Sequence, residues 1–236
     1  MDRLKYLTLA VAAASGVAAA PVYARSPYNE NVKVEEVEAK VAMDTLTSRS
    51  VFLNLPLKNM EILSRSTRLD MLDYIDIDSI WKAPNAMEGL SYITKITPDY
   101  LNLQLTPVST FTIKVLRPVG NPLAACVYTI GAEGRSADSQ IMFFGTDVKE
   151  LPASRLFRMP DLREFFTFPD KKTEKEILQL VPFPTVELRL SEDSPVLTAR
   201  LTVGEYMLQE DYEKVKPYMK KEIRFDWNGK KYTLVK

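Results

Sequence analysis

The chain has 236 residues, 46% of them apolar and 26% charged, the composition of an ordinary folded globular protein. Its 31 basic and 31 acidic residues cancel, which argues against a general nucleic-acid binder, because such a protein needs a basic face to displace counterions. It contains no histidine and one cysteine, so it cannot build a Ser-His-Asp or Cys-His hydrolase, a zinc site of the usual His and Cys types, or an intrachain disulfide.

Residues 1–24 carry the three parts of a secretory signal. Arg3 and Lys5 form a basic start, residues 7–20 are uncharged and rich in small apolar side chains, and Val22-Tyr23-Ala24 places small residues at −3 and −1. Cleavage is expected after Ala24, giving a periplasmic, secreted or cell-surface protein. The uncharged run falls short of the roughly 20 residues a spanning helix needs, and no later stretch reaches that length, so no transmembrane segment is expected after cleavage. Losing Asp2, Arg3 and Lys5 leaves a net charge of −1.

A polar arm follows at 25–45, with Val34, Val37 and Val41 at helical spacing. The domain is expected over 46–236, with a subdomain split near 150 as the alternative. Pro56 suits a first helical position, and Met60, Leu63, Thr67, Met71 and Tyr74 fall on one stripe, predicting a helix over 56–75. From Leu90 the period changes to two. Leu101, Leu103 and Leu105 alternate with Asn102 and Gln104, and Phe111, Ile113 and Val115 alternate with Thr112 and Lys114. Further strands are expected at 123–130 and 138–144, joined by 131–134, a glycine-containing turn that lacks the lysine of a phosphate loop. Cys126 sits in the first of these and reads as a small buried hydrophobe.

Prolines punctuate 145–184, where short helices are expected at 160–167 and 172–180. Alternation returns at 186–190 and 197–203. Asn228-Gly229, between strands at 223–227 and 231–235, predicts a hairpin with a type I′ turn. The stretches 101–115 and 186–201 share one pattern of strand, proline-containing turn and strand. Period-two patterning alone generates such a likeness; two similar sub-halves are the alternative. The fold class is therefore α+β, an N-terminal helix packed on a curved antiparallel sheet of hairpins.

Asp70 and Asp73 fall near the end of the predicted helix, at the negative pole of its dipole, with no base three or four residues away. A partner such as Lys95 or Arg135, or an earlier helix end, would account for them. A cation site with Asp76 and Asp78 is the sharper reading, although Asp76-Ile77-Asp78-Ser79 does not continue into a calcium loop. Phe165-Phe166-Thr167-Phe168 and Phe143-Phe144 are dense aromatic runs, for which core packing is the default reading; adjacent rings cannot all face one way, so exposure of some at a pocket lip or partner surface is the alternative.

Val51-Phe52-Leu53-Asn54-Leu55-Pro56, Arg68-Leu69-Asp70-Met71-Leu72-Asp73-Tyr74, Thr97-Pro98-Asp99-Tyr100-Leu101 and Asp138-Ser139-Gln140-Ile141 resemble a family of uncharacterised exported proteins of Bacteroidales. The Arg-Leu-Asp-Met segment is its most specific part. The resemblance implies a Gram-negative envelope location and carries no activity; the arm at 25–45 is longer than the family pattern. Candidate binding residues are Arg68, Asp70, Asp73, Tyr100 and Asp138, with Phe165, Phe166 and Phe168 from the aromatic run. The expected function is a non-catalytic binding or protein-interaction module with no cofactor or metal. Its partner would be an envelope protein, lipid, peptide or glycan, not nucleic acid. A glycan hydrolase working through two carboxylates is the alternative, and would bring two of Asp70, Asp73 and Asp138 into one cleft. As a structural partner in an envelope complex, the chain would offer an unpaired edge, such as the strand ending at Leu234-Val235-Lys236.

Overall fold

The computed structural model describes residues 46–76, 81–117, 120–131, 136–181 and 183–235. The expected leader, the arm at 25–45, Asp78, Gly134, Arg135 and Lys236 lie outside the described residues.

The first helix, α1 (Ser48–Asn54), starts where Thr47 and Ser50 cap each other: the Ser50 N–H donates to Thr47 Oγ1 at 3.1 Å and the Thr47 N–H to Ser50 Oγ at 3.0 Å. It ends before Pro56, which opens a 3₁₀ turn (Leu57–Asn59). α2 (Arg65–Asp76) then begins at Ser64, whose Oγ accepts the Thr67 N–H. The single helix predicted over 56–75 is therefore two elements with a bend at 60–64. Met60 and Leu63, which sit on the helical stripe in sequence, are buried from that bend.

Seven strands follow as an antiparallel meander in chain order: β1 (Ala83–Pro84), β2 (Leu90–Thr97), β3 (Tyr100–Thr106), β4 (Ser109–Leu116), β5 (Leu123–Ile130), β6 (Asp138–Phe144) and β7 (Glu150–Leu151). A second antiparallel sheet has the order β11-β10-β9-β8, from β8 (Val186–Leu190), β9 (Val196–Leu201), β10 (Ile223–Trp227) and β11 (Tyr232–Leu234). The α+β class with N-terminal helices against an antiparallel sheet is as expected. The two similar hairpins both form, but β3–β4 is interior to the larger sheet and β8–β9 lies at the edge of the smaller one. Between the sheets come α3 (Lys171–Gln179), whose cap Asp170 accepts the Thr173 N–H at 2.8 Å, and a 3₁₀ turn at Leu162–Phe165. α4 (Gln209–Val215) links β9 to β10.

Each face of the large sheet belongs to a different core. Leu101, Leu103, Phe111, Ile113, Cys126 and Phe144 pack with Val51, Phe52, Met71 and Leu72 of the helices. Leu123, Ala125, Val127, Ile141 and Phe143 pack on the other side with Leu188, Leu197, Ala199 and Phe225 of the second sheet. The alternation along β5 produces this division directly. Residues on either side of position 150 thus share one core.

The last hairpin corrects the turn type. Gly229 alone carries positive φ there, at +87°, while Asn228 and Lys230 do not. The Asn228 N–H donates to the Lys231 carbonyl at 3.2 Å, so the central pair is Gly229-Lys230, with positive φ at the first position only, as in type II′. Asn228 flanks it, and its Oδ1 accepts the N–H groups of Lys230 and Lys231.

Candidate functional site

β8 does not lie parallel to the strands beneath it. The Val186 N–H donates to Asp138 Oδ1 (3.1 Å) and the Leu188 N–H to Ser139 Oγ (3.0 Å), both at the start of β6. At the far end of β8, the Glu192 carbonyl accepts from Lys114 Nζ on β4, and Glu192 Oε1 meets Lys95 Nζ on β2 at 3.0 Å. The strand therefore crosses the larger sheet diagonally and leaves part of its second face uncovered.

That uncovered region is a groove of about 830 Å³. Its floor is the alternating set that faces away from the helices: Tyr92 on β2, Tyr100, Asn102 and Gln104 on β3, Thr110 and Thr112 on β4. Glu187 to Leu190 of β8 form one wall, and Lys82 and Gly89 stand at the margin. The polar floor is ordered by its own hydrogen bonds. Asn102 Nδ2 donates to Thr94 Oγ1 at 2.7 Å and Thr112 Oγ1 to Asn102 Oδ1 at 2.8 Å. Gln104 Nε2 donates to the carbonyls of Thr106 and Ser109.

Two charged groups frame the groove. Glu187, almost buried, is the one carboxylate lining it among the described residues; Arg189 Nε reaches one of its oxygens at 2.8 Å and Arg200 Nη2 the other at 2.7 Å. At the opposite end Lys114 is only 3% exposed, with Asp99 Oδ2 at 3.0 Å and the Tyr100 ring centroid at 6.0 Å. Partial burial pushes the Asp99 carboxyl up, but the Lys114 hydrogen bond and charge outweigh it, with a further bond from Thr97, and hold it below the usual aspartate range. Burial, with Glu192 nearby, raises the Tyr100 phenol.

Of the residues singled out from the sequence, Tyr100 alone lines this groove. Arg68 is a structural clamp. It is 2% exposed, and its Nη1 donates to the carbonyls of Phe52 (2.7 Å) and Leu55 (2.9 Å), the unsatisfied end of α1. Burial lowers its pKa, and Arg65 adds to the effect. Asp70 and Asp73 are exposed on α2 with no ion pair among the described residues, and Lys95 is engaged with Glu192 instead. The helix does not end early either; its last acid, Asp76, is held by both terminal nitrogens of Arg49. Asp78, the other carboxylate of the expected cation site, lies outside the described residues. Asp138 fastens β8. Phe165 and Phe166 are core; Phe166 and Phe168 stack at 5.3 Å and border a shallow hollow of about 430 Å³ beside α3. Cys126 is fully buried, which raises its thiol pKa.

Sequence reasoning missed Tyr92, Gln104, Thr110, Thr112, Glu187 and Arg189 as groove residues. Their signal was the polar alternation itself, which reads as a water-facing surface until a second sheet is placed over it.

Helices on one face of a seven-stranded meander, with a smaller sheet laid diagonally on part of the other, define an α+β protein with an open, polar-floored groove. The chain belongs to the family described as a protein of unknown function, DUF3256, which matches residues 40–232. Its fold is similar to that of a domain of an uncharacterised protein from Porphyromonas gingivalis W83, a member of the Bacteroidales. The TM-score is 0.68 at 18% identity, covering 79% of this chain and 96% of that one; at that identity the likeness speaks for the fold alone. No curated protein matches the chain.

Proposed function

We propose that this is an exported, non-catalytic binding protein of the cell envelope whose ligand lies in the groove between the β2–β4 floor and β8. The leader features of residues 1–24 support export. The observation that carries the binding reading is the groove itself: it is large enough for a small ligand, its floor is rigid, and its side chains are held by one another. Its only carboxylate among the described residues is tied to two guanidiniums, so no acid–base pair faces the space. Asp70 and Asp73 stand on α2, across the sheet from it, and Asp138 is committed to the Val186 N–H. Every described carboxyl with a displaced pKa is shifted down rather than up, unlike a general acid.

The test is native mass spectrometry of the protein purified gently from its own cells. The wild type should carry an added mass that Tyr100→Ala and Tyr92→Ala lose. A bare wild-type chain, or an added mass indifferent to both substitutions, would overturn the groove as the site.

A further inference from the structure

We infer that the groove takes an acidic oligosaccharide, a reading that rests on the groove being the binding site. A floor strand from Tyr100 to Thr106 gives the groove a length of about 20 Å at the rise of a β-strand, room for several linked units. Each of its two tyrosines has an ammonium group over one ring face, Lys82 Nζ at 5.4 Å from the Tyr92 centroid and Lys114 Nζ at 6.0 Å from that of Tyr100, which leaves the other face for a ligand. Rings steadied in this way are platforms for the C–H face of a sugar, and the hydroxyl and amide groups between them match a sugar's rim of hydroxyls. Gln104 has its amide nitrogen committed to two carbonyls, which leaves its oxygen as an acceptor for a ligand hydroxyl.

Charge decides for an acidic sugar. Lys82 and Arg189 line the groove, while Glu187 has both oxygens occupied by Arg189 and Arg200. Among the described residues the lining therefore offers a carboxylate the ammonium of Lys82, which has no ion pair there, and holds no free carboxylate to repel one.

An extended peptide is the competing occupant, and the edge of β8 disfavours it. The bonds from Thr202 N–H to Thr185 O and from Ser191 N–H to Val196 O fix the β8–β9 register. That register turns the N–H groups of Val186, Leu188 and Leu190 away from β9. Asp138 and Ser139 already accept the first two. A strand-adding peptide needs a row of open edge groups, and only one N–H remains.

The experiment is a solid-phase panel of neutral oligosaccharides, matched oligosaccharides bearing uronic or sialic acids, and polyglutamate, probed with the full chain and followed by calorimetry on the best binder. Acidic sugars should bind, and Lys82→Gln and Tyr92→Ala should each weaken them at least tenfold. Lys172→Gln, an exposed charge removed on α3, should leave binding unchanged. Equal binding of neutral sugars, or equal weakening by Lys172→Gln, would overturn the acidic-sugar inference. So would polyglutamate binding as tightly as the sugars. A blank panel alongside a Tyr100-dependent mass from native cells would sink the sugar alone; a blank panel with a bare native chain would sink the groove as well.

Discussion

The two faces of β3 differ sharply, although they share one backbone. Leu101, Leu103 and Leu105 are at most 1% exposed beneath α1 and α2, while Tyr100, Asn102, Gln104 and Thr106 on the other face are half-buried. What separates them is the cover. The helices seal the first face with apolar side chains, whereas β8 crosses the second diagonally and leaves β2 and β3 open. The open face keeps its order through side-chain hydrogen bonds instead, from Thr112 to Asn102 and from Asn102 to Thr94. A surface that is polar and already ordered has little conformational freedom left to lose when a ligand settles on it.

Adjacent substitutions on β3 test the contrast most sharply. Leu103→Ala should lose about 2–5 kcal/mol by creating a cavity in a sealed core, whereas Asn102→Ala should lose only about 1 kcal/mol by removing partly exposed hydrogen bonds. Urea midpoints measure both; equal losses would mean that the polar face is itself structural core. Arg68→Ala should come next, at about 3 kcal/mol, because it strips two charge-assisted bonds from the end of α1. Its ligand binding, measured where the variant is folded, should be unchanged, since the clamp lies on the helix side. Gly131, at the groove margin, has φ +142°, and a Cβ there would meet the Ala137 Cα at 2.5 Å. Gly131→Ala should therefore lose about 1–3 kcal/mol to strain and shift the start of β6, so binding should weaken together with stability.

The strands were legible in the sequence because side chains on a sheet alternate between its faces; β3 shows this as strictly alternating burial, whereas β5, covered on both faces, reads as a continuous apolar run. The helices were less so. α1 is announced by Thr47, but its partner in the capping box is Ser50 rather than the glutamate or glutamine that makes the signature easy to see. Met60 and Leu63 mimic a helical stripe while belonging to a bend. The groove was legible only as a polar stripe, since alternation says which way a side chain points and not what lies across from it. The path of β8 is set by contacts such as Leu188 to Ser139, far apart in the chain. Arg68 was misleading for a related reason: a guanidinium in a helix reads as surface unless the carbonyl ends of α1 are known to wait beside it.

The smallest effect probes the line where cover gives way to groove, at Lys114 and Asp99 beneath the 191–195 turn. The Asp99 carboxyl is held below its ordinary value in the folded chain, so its stabilising contribution is complete above the unfolded value of about 3.9 and is lost as pH falls through the lower, folded one. Asp99→Asn removes the carboxylate at every pH and leaves the buried Lys114 ammonium with the Glu192 carbonyl. The wild type should then melt above the variant at neutral pH, and the gap should close on acidification below about 4. Because the Asp99 side chain is 44% exposed, solvent screens the pair and the gap should be a few degrees at most. A gap that persists unchanged to pH 2 would assign the difference to the shape of the side chain rather than its charge. The groove end would then be held by packing around Lys114 and not by the ion pair.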